Sequence, residues 1–460
     1  MDRWHIMTNF RYTKDSWAKY HLTDEQKNIN QSTSADYQPE FNKYEYTVAL
    51  DGPINEHLGL LLSYGKQHSK IPLWSTYEML KPDGNFSHKE RQTQYRNNEN
   101  FLVKLNTHNI DDLEASLTMI YAPYTASRFA GYRNSDADVE SGGLNIAYDM
   151  KNALNFGVLK NTLAYKSDEE TIDTKTNNYY RWATVPNGYA NWRYEEGFDY
   201  AFDGALGDRE FTSESFIYKS VLDIDEFNTG ELEHSIKTGI EAEIGKARYK
   251  REQGNMFVTF LGDELNSTVT GGKEDGIIAG EQAINRNQIR MPVDNKKSYT
   301  TAALFLEDTI KYDRYTFRPG LRFSTDTVTN NKDIAPRLFA NADIFDDESL
   351  NVYGGYNRYY GGLILYDSIY EVYREVYLRD GYNKPWYNDN WTVRQPYSLE
   401  GIKTPYSDEF SLGASLDYQD TLFKLDFVKR EYKNQIKQKE KYWISNSSGV
   451  FAEYVNTNDG

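Results

Sequence analysis

Residues 301–326 read TAALFLEDTIKYDRYTFRPGLRFSTD. In an extended chain successive side chains point to opposite faces. Tyr315, Phe317, Pro319, Leu321 and Phe323 therefore share one face of its second half, and Thr316, Arg318, Gly320, Arg322 and Ser324 share the other. Two arginines stand back to back with an apolar wall, so the two faces see different solvents. The four residues KYDR (311–314) separate this half from TAALFLED, which alternates in the same way, and the whole reads as a hairpin.

The same period of two recurs along the chain. YEYTVALD (44–51) sets Tyr44, Tyr46, Val48 and Leu50 against Glu45, Thr47, Ala49 and Asp51. DLEASLTMIY (112–121), GLNIAYDM, FIYKSVLDI, EHSIKTGIEAEI, PRLFANADIF, LNVYGGYN and EFSLGASLDY repeat it, which gives about fifteen strands with one apolar and one polar face. Some connections are brief, at 52–57, 108–111, 151–154, 311–314, 346–349 and 419–420. Long polar insertions alternate with them, at 13–43, 67–98, 122–140, 167–212, 245–298 and 358–407. All the long connections fall on one parity, so they emerge from one end of an antiparallel meander. Short turns at one end, long loops at the other and alternating strands of about ten residues describe an up-and-down transmembrane β-barrel. Backbone amides in hydrocarbon must pair within the protein, which a sheet achieves by closing on itself.

Composition agrees. Of the 460 residues 39 are Tyr, 22 Phe and 8 Trp, and the mean hydropathy is only -0.78 because lumen and loops are polar. No run of about 18 apolar residues is present, which excludes a spanning helix and leaves a barrel untouched. Cysteine is absent, so there is neither a disulfide framework nor a thiolate metal site. The 52 basic and 69 acidic residues give a net charge of -17, against a nucleic-acid binder. The start, MDRWHIMTNFRY, shows no signal-peptide pattern.

Several segments resemble the barrel of TonB-dependent outer-membrane receptors. FLEDTIKYDRYTFRPGLRFSTD is similar to that family's aromatic-x-Gln/Glu-Asp strand, turn and PGLR strand. DIAPRLFANADIF, with Pro336 and Arg337, resembles its Pro-Arg strand, and LNVYGGYNR the following strand. KTPYSDEFSLGASLDYQDTLFKLDFVKREYKNQI and FAEYVNTNDG resemble later strands, in the family's order. The resemblance implies that residues 1–460 are a partial receptor barrel, all-β and antiparallel, with 15 or 16 of about 22 strands, the N-terminal plug, the coupling box and the last strands being absent.

The function it implies is energised uptake, across the bacterial outer membrane, of a scarce nutrient. A ferric siderophore is the first candidate and haem the second. The partners would be outer-membrane lipid and, through the plug, the TonB-ExbB-ExbD complex. A passive porin or fatty-acid channel and a soluble carbohydrate-binding all-β protein are the alternatives. No catalytic constellation is visible: no His-Glu-x-x-His, no Gly-x-Ser-x-Gly and no phosphate loop occurs, so an enzyme is not expected, nor a cofactor. KEDGIIAGEQ and DIFDDES lack the ligand spacing of a calcium loop, so no metal site is expected.

Two long connections are rich in aromatics, and their residues are the candidate ligand contacts: Trp182, Trp192, Tyr359, Tyr360, Trp386, Trp391 and Arg394. Planar rings and guanidinium groups would hold an anionic or catechol-bearing ligand by stacking and bidentate contacts. The competing expectation is that such loops pack a small core of their own above the membrane. Arg318 and Arg322 are expected to face the lumen or plug.

Overall fold

A computed structural model describes residues 3–17, 40–75, 90–107, 110–129, 133–184, 200–258, 268–361, 372–395, 401–419, 421–446 and 449–458, with the single positions 19, 188 and 369. Its main body is an antiparallel meander of fifteen strands, from His5–Lys14 through to Thr421–Lys433, each paired with the next. Phe227–Thr229 pairs on to it as a sixteenth. This is the up-and-down wall that the alternating stretches and the parity of the loops predict.

The opening hairpin forms as read. Val293–Tyr312 and Tyr315–Asp326 pair in register, Leu306 opposite Leu321 and Phe305 opposite Arg322. Asp313 turns the chain with a φ of 53°, a region that aspartate tolerates better than most residues because its carboxylate bonds locally. Following the register across the wall assigns each side chain to a face. Leu304, Leu306, Leu321 and Ile334 lie on the outer one, each more than half exposed. A row of rings crosses the same face towards the loop end: Tyr46 to Tyr64 at 5.9 Å, Tyr64 to Phe101 at 4.6 Å and Phe101 to Tyr121 at 6.1 Å between centroids. Tyr165 and Phe216, at 4.9 Å, continue it. An exposed apolar belt edged by rings is the surface that a bilayer core and its interface require.

The strands are longer than the amphipathic pattern indicates. Leu58–Ser75, Glu90–Thr107 and Gly157–Thr174 have 18 residues each, and they run through 67–75, 90–98 and 167–174, stretches that the sequence places in loops. Beyond the belt both faces meet water. Period-two hydropathy vanishes there while the backbone ladder continues.

Three of the long connections, together with the segment after the last wall strand, form a second, eight-stranded sheet beyond the wall, in the order Lys437–Asn446, Gly449–Thr457, Tyr387–Gln395, Val372–Leu378, Arg286–Arg290, Gly254–Val258, Asn178–Ala183 and Tyr200–Gly204. Two of its pairings are parallel, Gly254–Val258 with Asn178–Ala183 and Tyr387–Gln395 with Gly449–Thr457. One face of this distal sheet carries a core of Tyr180, Trp182, Ala201, Phe257 and Ile284, so the insertions do pack around apolar residues of their own.

Candidate functional site

The sequence-predicted residues separate into distinct environments. Trp182 has no exposed surface; its ring stacks on Tyr180 at 5.1 Å, inside the distal core. Trp386 is half-buried against that core, 6.2 Å from the Phe257 ring, with the Arg379 guanidinium 4.5 Å from its own. Arg379 is buried and donates to the Ile284 carbonyl at 2.7 Å and the Gly276 carbonyl at 3.1 Å, pinning the 272–284 turn to the sheet. Burial lowers the pKa of that guanidinium and raises that of Tyr180 to about 12. Trp391 and Arg394 lie in Tyr387–Gln395, with their Cα atoms opposite Val376 and Tyr373. Trp192 lies outside the described residues.

Tyr359 and Tyr360 end the wall strand Leu350–Tyr360 at its loop side. Both line a cavity of about 300 Å³, together with Glu241, Arg322, Asp326, Asp333 and Arg337. The inward set follows from register: Gly320 opposes Arg337, Arg337 opposes Asn357, and Tyr359 lies two residues further on the same face. Arg337 sits 5.8 Å from the Tyr359 ring and Arg318 sits 4.9 Å from that of Phe339. Arg322 donates to Glu241 at 3.3 Å. Arg318 and Arg322 thus share the inner face, opposite the one that carries Leu321.

A feature that sequence reasoning missed lies on the distal sheet. Arg181 and Arg286 both register with Val258, while Arg290 lies directly opposite Arg374. All four arginines occupy the face opposite Tyr180 and Phe257, since Tyr180 and Phe257 pair with one another one residue away. Each is half-buried, and burial lowers the pKa of Arg286. The Arg181 guanidinium stacks 3.5 Å from the Tyr200 ring. No local signal reveals this set, because its members come from three insertions and only the pairing joins them.

Comparison with known proteins assigns the architecture. No family model matches the chain. The uncharacterized protein YddB of Escherichia coli strain K12 is 24% identical over 466 residues, covering 99% of this chain and 53% of its own length. The crystal structure of the Escherichia coli outer membrane transporter YddB superposes with a TM-score of 0.75, at 21% identity, over 98% of this chain and 55% of that one. This chain has the fold of an outer-membrane transporter barrel. The ferric enterobactin receptor PfeA of Pseudomonas aeruginosa is similar at a TM-score of 0.60 and 13% identity, over 99% of this chain and 59% of that one. The siderophore receptor PirA of Acinetobacter baumannii is similar at 0.59 and 12%, over 100% and 58%. The chain spans little more than half the length of these proteins, which the structures describe as a transporter and two receptors.

Proposed function

We propose that this chain is the main part of the barrel of a TonB-dependent receptor in the bacterial outer membrane, which captures an anionic metal chelate of the ferric siderophore class and imports it. The observation that carries the reading is the arginine face of the distal sheet, with Arg181, Arg286, Arg290 and Arg374 gathered from three insertions. Guanidinium groups form bidentate, charge-assisted hydrogen bonds to carboxylate and catecholate oxygens. The inner-face cavity around Arg322, Arg337 and Tyr359 then belongs to the path or to the seat of a plug. Likeness in fold to receptors for siderophores supports the ligand class. Energy would come from TonB-ExbB-ExbD, acting on a plug encoded outside these residues, and further strands would join the two edges of the wall.

Ferric enterobactin is the probe for the test, added to the protein expressed from the longest reading frame that encodes it. Saturable quenching of tryptophan fluorescence is expected, with Kd raised at least about tenfold in an Arg290→Gln/Arg374→Gln variant that keeps its folded mobility. Absence of saturable binding, or affinity unchanged in the variant, overturns the ligand assignment.

A further inference from the structure

Four adjacent strands of the wall, Gly157–Thr174, Arg209–Ile224, Leu232–Arg251 and Val293–Tyr312, join the distal sheet at their loop ends through connections of only two to four residues. These crossings make a neck between the two sheets, and they bond to one another. Asn255 N donates to the Asn177 carbonyl at 2.7 Å, Glu252 N to the Asp208 carbonyl at 3.1 Å and Thr174 N to Asp208 Oδ1 at 2.7 Å. Gly207 lets them approach. Its φ is 86°, and an added Cβ would stand 3.2 Å from Asn177 Oδ1 and 3.3 Å from the Gln253 carbonyl oxygen.

The neck holds a buried cation. Ile240 and Ile244 face outward, each more than half exposed, so alternation along the same strand turns Arg251 inward, opposite Arg209 on one side and Val293 on the other. Arg251 keeps only 6% of its surface exposed, and its Nε has no hydrogen-bond partner. Among the described residues no carboxylate lies within 4 Å of its guanidinium, nor of that of Arg209, which is exposed. The neighbouring acids are engaged elsewhere: Asp208 holds Thr174, and Asp294 holds Arg248 at 2.7 and 2.8 Å. Lys250 and Glu252, both exposed, offset one another. The row beneath brings in Phe211 and Tyr249, which pack with Ala247, Val293 and Ile369. A guanidinium buried over such a cluster without a counterion is costly, and an anion beside it removes the cost.

Arg251 opens on a cavity of about 510 Å³, whose lining adds donors from Asn177, Lys250 and Gln253 and an apolar side from Pro292 and Val293. One guanidinium fork already occupies both oxygens of a carboxylate, which would leave the other donors unused. A tetrahedral phosphoryl group takes a fork from each arginine and still has oxygen to offer. We infer that the neck binds a phosphoryl anion between Arg251 and Arg209, with Pro292 and Val293 covering an organic substituent where the phosphate is esterified, and that the bound anion fastens the distal sheet to the wall. The site is separate from the arginine face of the distal sheet and does not rest on the imported ligand.

Isothermal titration calorimetry of the detergent-purified protein, from the longest reading frame that encodes it, tests this with phenyl phosphate, inorganic phosphate and benzoate. Phenyl phosphate is expected to saturate one site and to bind at least about tenfold tighter than benzoate. Arg251→Gln should raise its Kd at least about tenfold, Arg209→Gln should raise it less, and both variants should keep their folded mobility. Phenyl phosphate should also raise the melting temperature of the native protein and leave that of Arg251→Gln unchanged. Inorganic phosphate that binds as tightly as phenyl phosphate identifies the free ion as the occupant, and weaker binding identifies an ester; either supports the phosphoryl site. No saturable binding of either phosphate, equal affinity for benzoate, or a Kd unchanged in Arg251→Gln overturns the proposal. So does displacement of phenyl phosphate by ferric enterobactin, because the site would then belong to the imported ligand. A protein that binds phenyl phosphate and not ferric enterobactin supports this site and overturns only the assignment of the imported ligand.

Discussion

Leu321 is more than half exposed, yet its neighbour Arg322 turns the other way and bonds Glu241 across the inner face. Alternation alone places both residues, because the period of a strand leaves a side chain only two directions. The consequence is a sharp contrast in cost. Leu321→Lys puts an ammonium into hydrocarbon, and near the bilayer midplane this destabilises by about 2 to 4 kcal/mol. Ser324→Lys, three residues on and facing inward beside Asp326 and Asp333, should stay within about 0.5 kcal/mol. Urea titration of the refolded protein in lipid vesicles measures the difference, and equal effects at the two positions would mean that water bathes both faces. Trp182 shows the limit of such reading. An aromatic in a long polar insertion looks the same in sequence whether it awaits a ligand or fills a core, and only its stacking on Tyr180 decides that it fills one.

At the scale of elements, the strands of the wall were legible wherever lipid faces one side. They became illegible at the height where it does not, as in QHSKIPLWS (67–75), where polar and apolar residues no longer alternate by face. The distal sheet was illegible for another reason. Its strands are short, come from separate insertions and pair partly in parallel, so no hairpin spacing announces them. Its integrity rests on buried contacts between insertions. Asp203, fully buried, accepts from Asn134 at 2.6 Å and from Lys273 at 2.7 Å, which joins three of the segments that follow wall strands. Trp182 packs against residues from two of them. Trp182→Ala should therefore destabilise this layer by about 3 to 5 kcal/mol and leave the wall intact. Limited trypsin digestion should then cut within the distal sheet, while unheated gel mobility stays that of the folded barrel. Loss of the folded mobility itself would show that the two sheets fold as one unit.

At the scale of the whole molecule, the path of pairing in the wall begins at His5–Lys14 and finishes at Thr421–Lys433, and among the described residues these two strands do not pair with each other. Both are exposed along nearly all their length, with Leu425 at 75%. Each presents a line of backbone N–H and C=O groups, and in hydrocarbon every such group left unpaired costs several kcal/mol. Residues 1–460 expressed alone should consequently fail to acquire heat-resistant folded mobility in detergent, and should associate through the two edges. The same residues inside a polypeptide of the length of the YddB transporter should acquire it, because additional strands can join edge to edge. Unheated and boiled gel lanes of the two polypeptides make the comparison directly. A heat-modifiable band from residues 1–460 alone would require His5–Lys14 and Thr421–Lys433 to pair with each other, giving a narrower closed barrel with less room for a plug, and would favour passive diffusion over energised import.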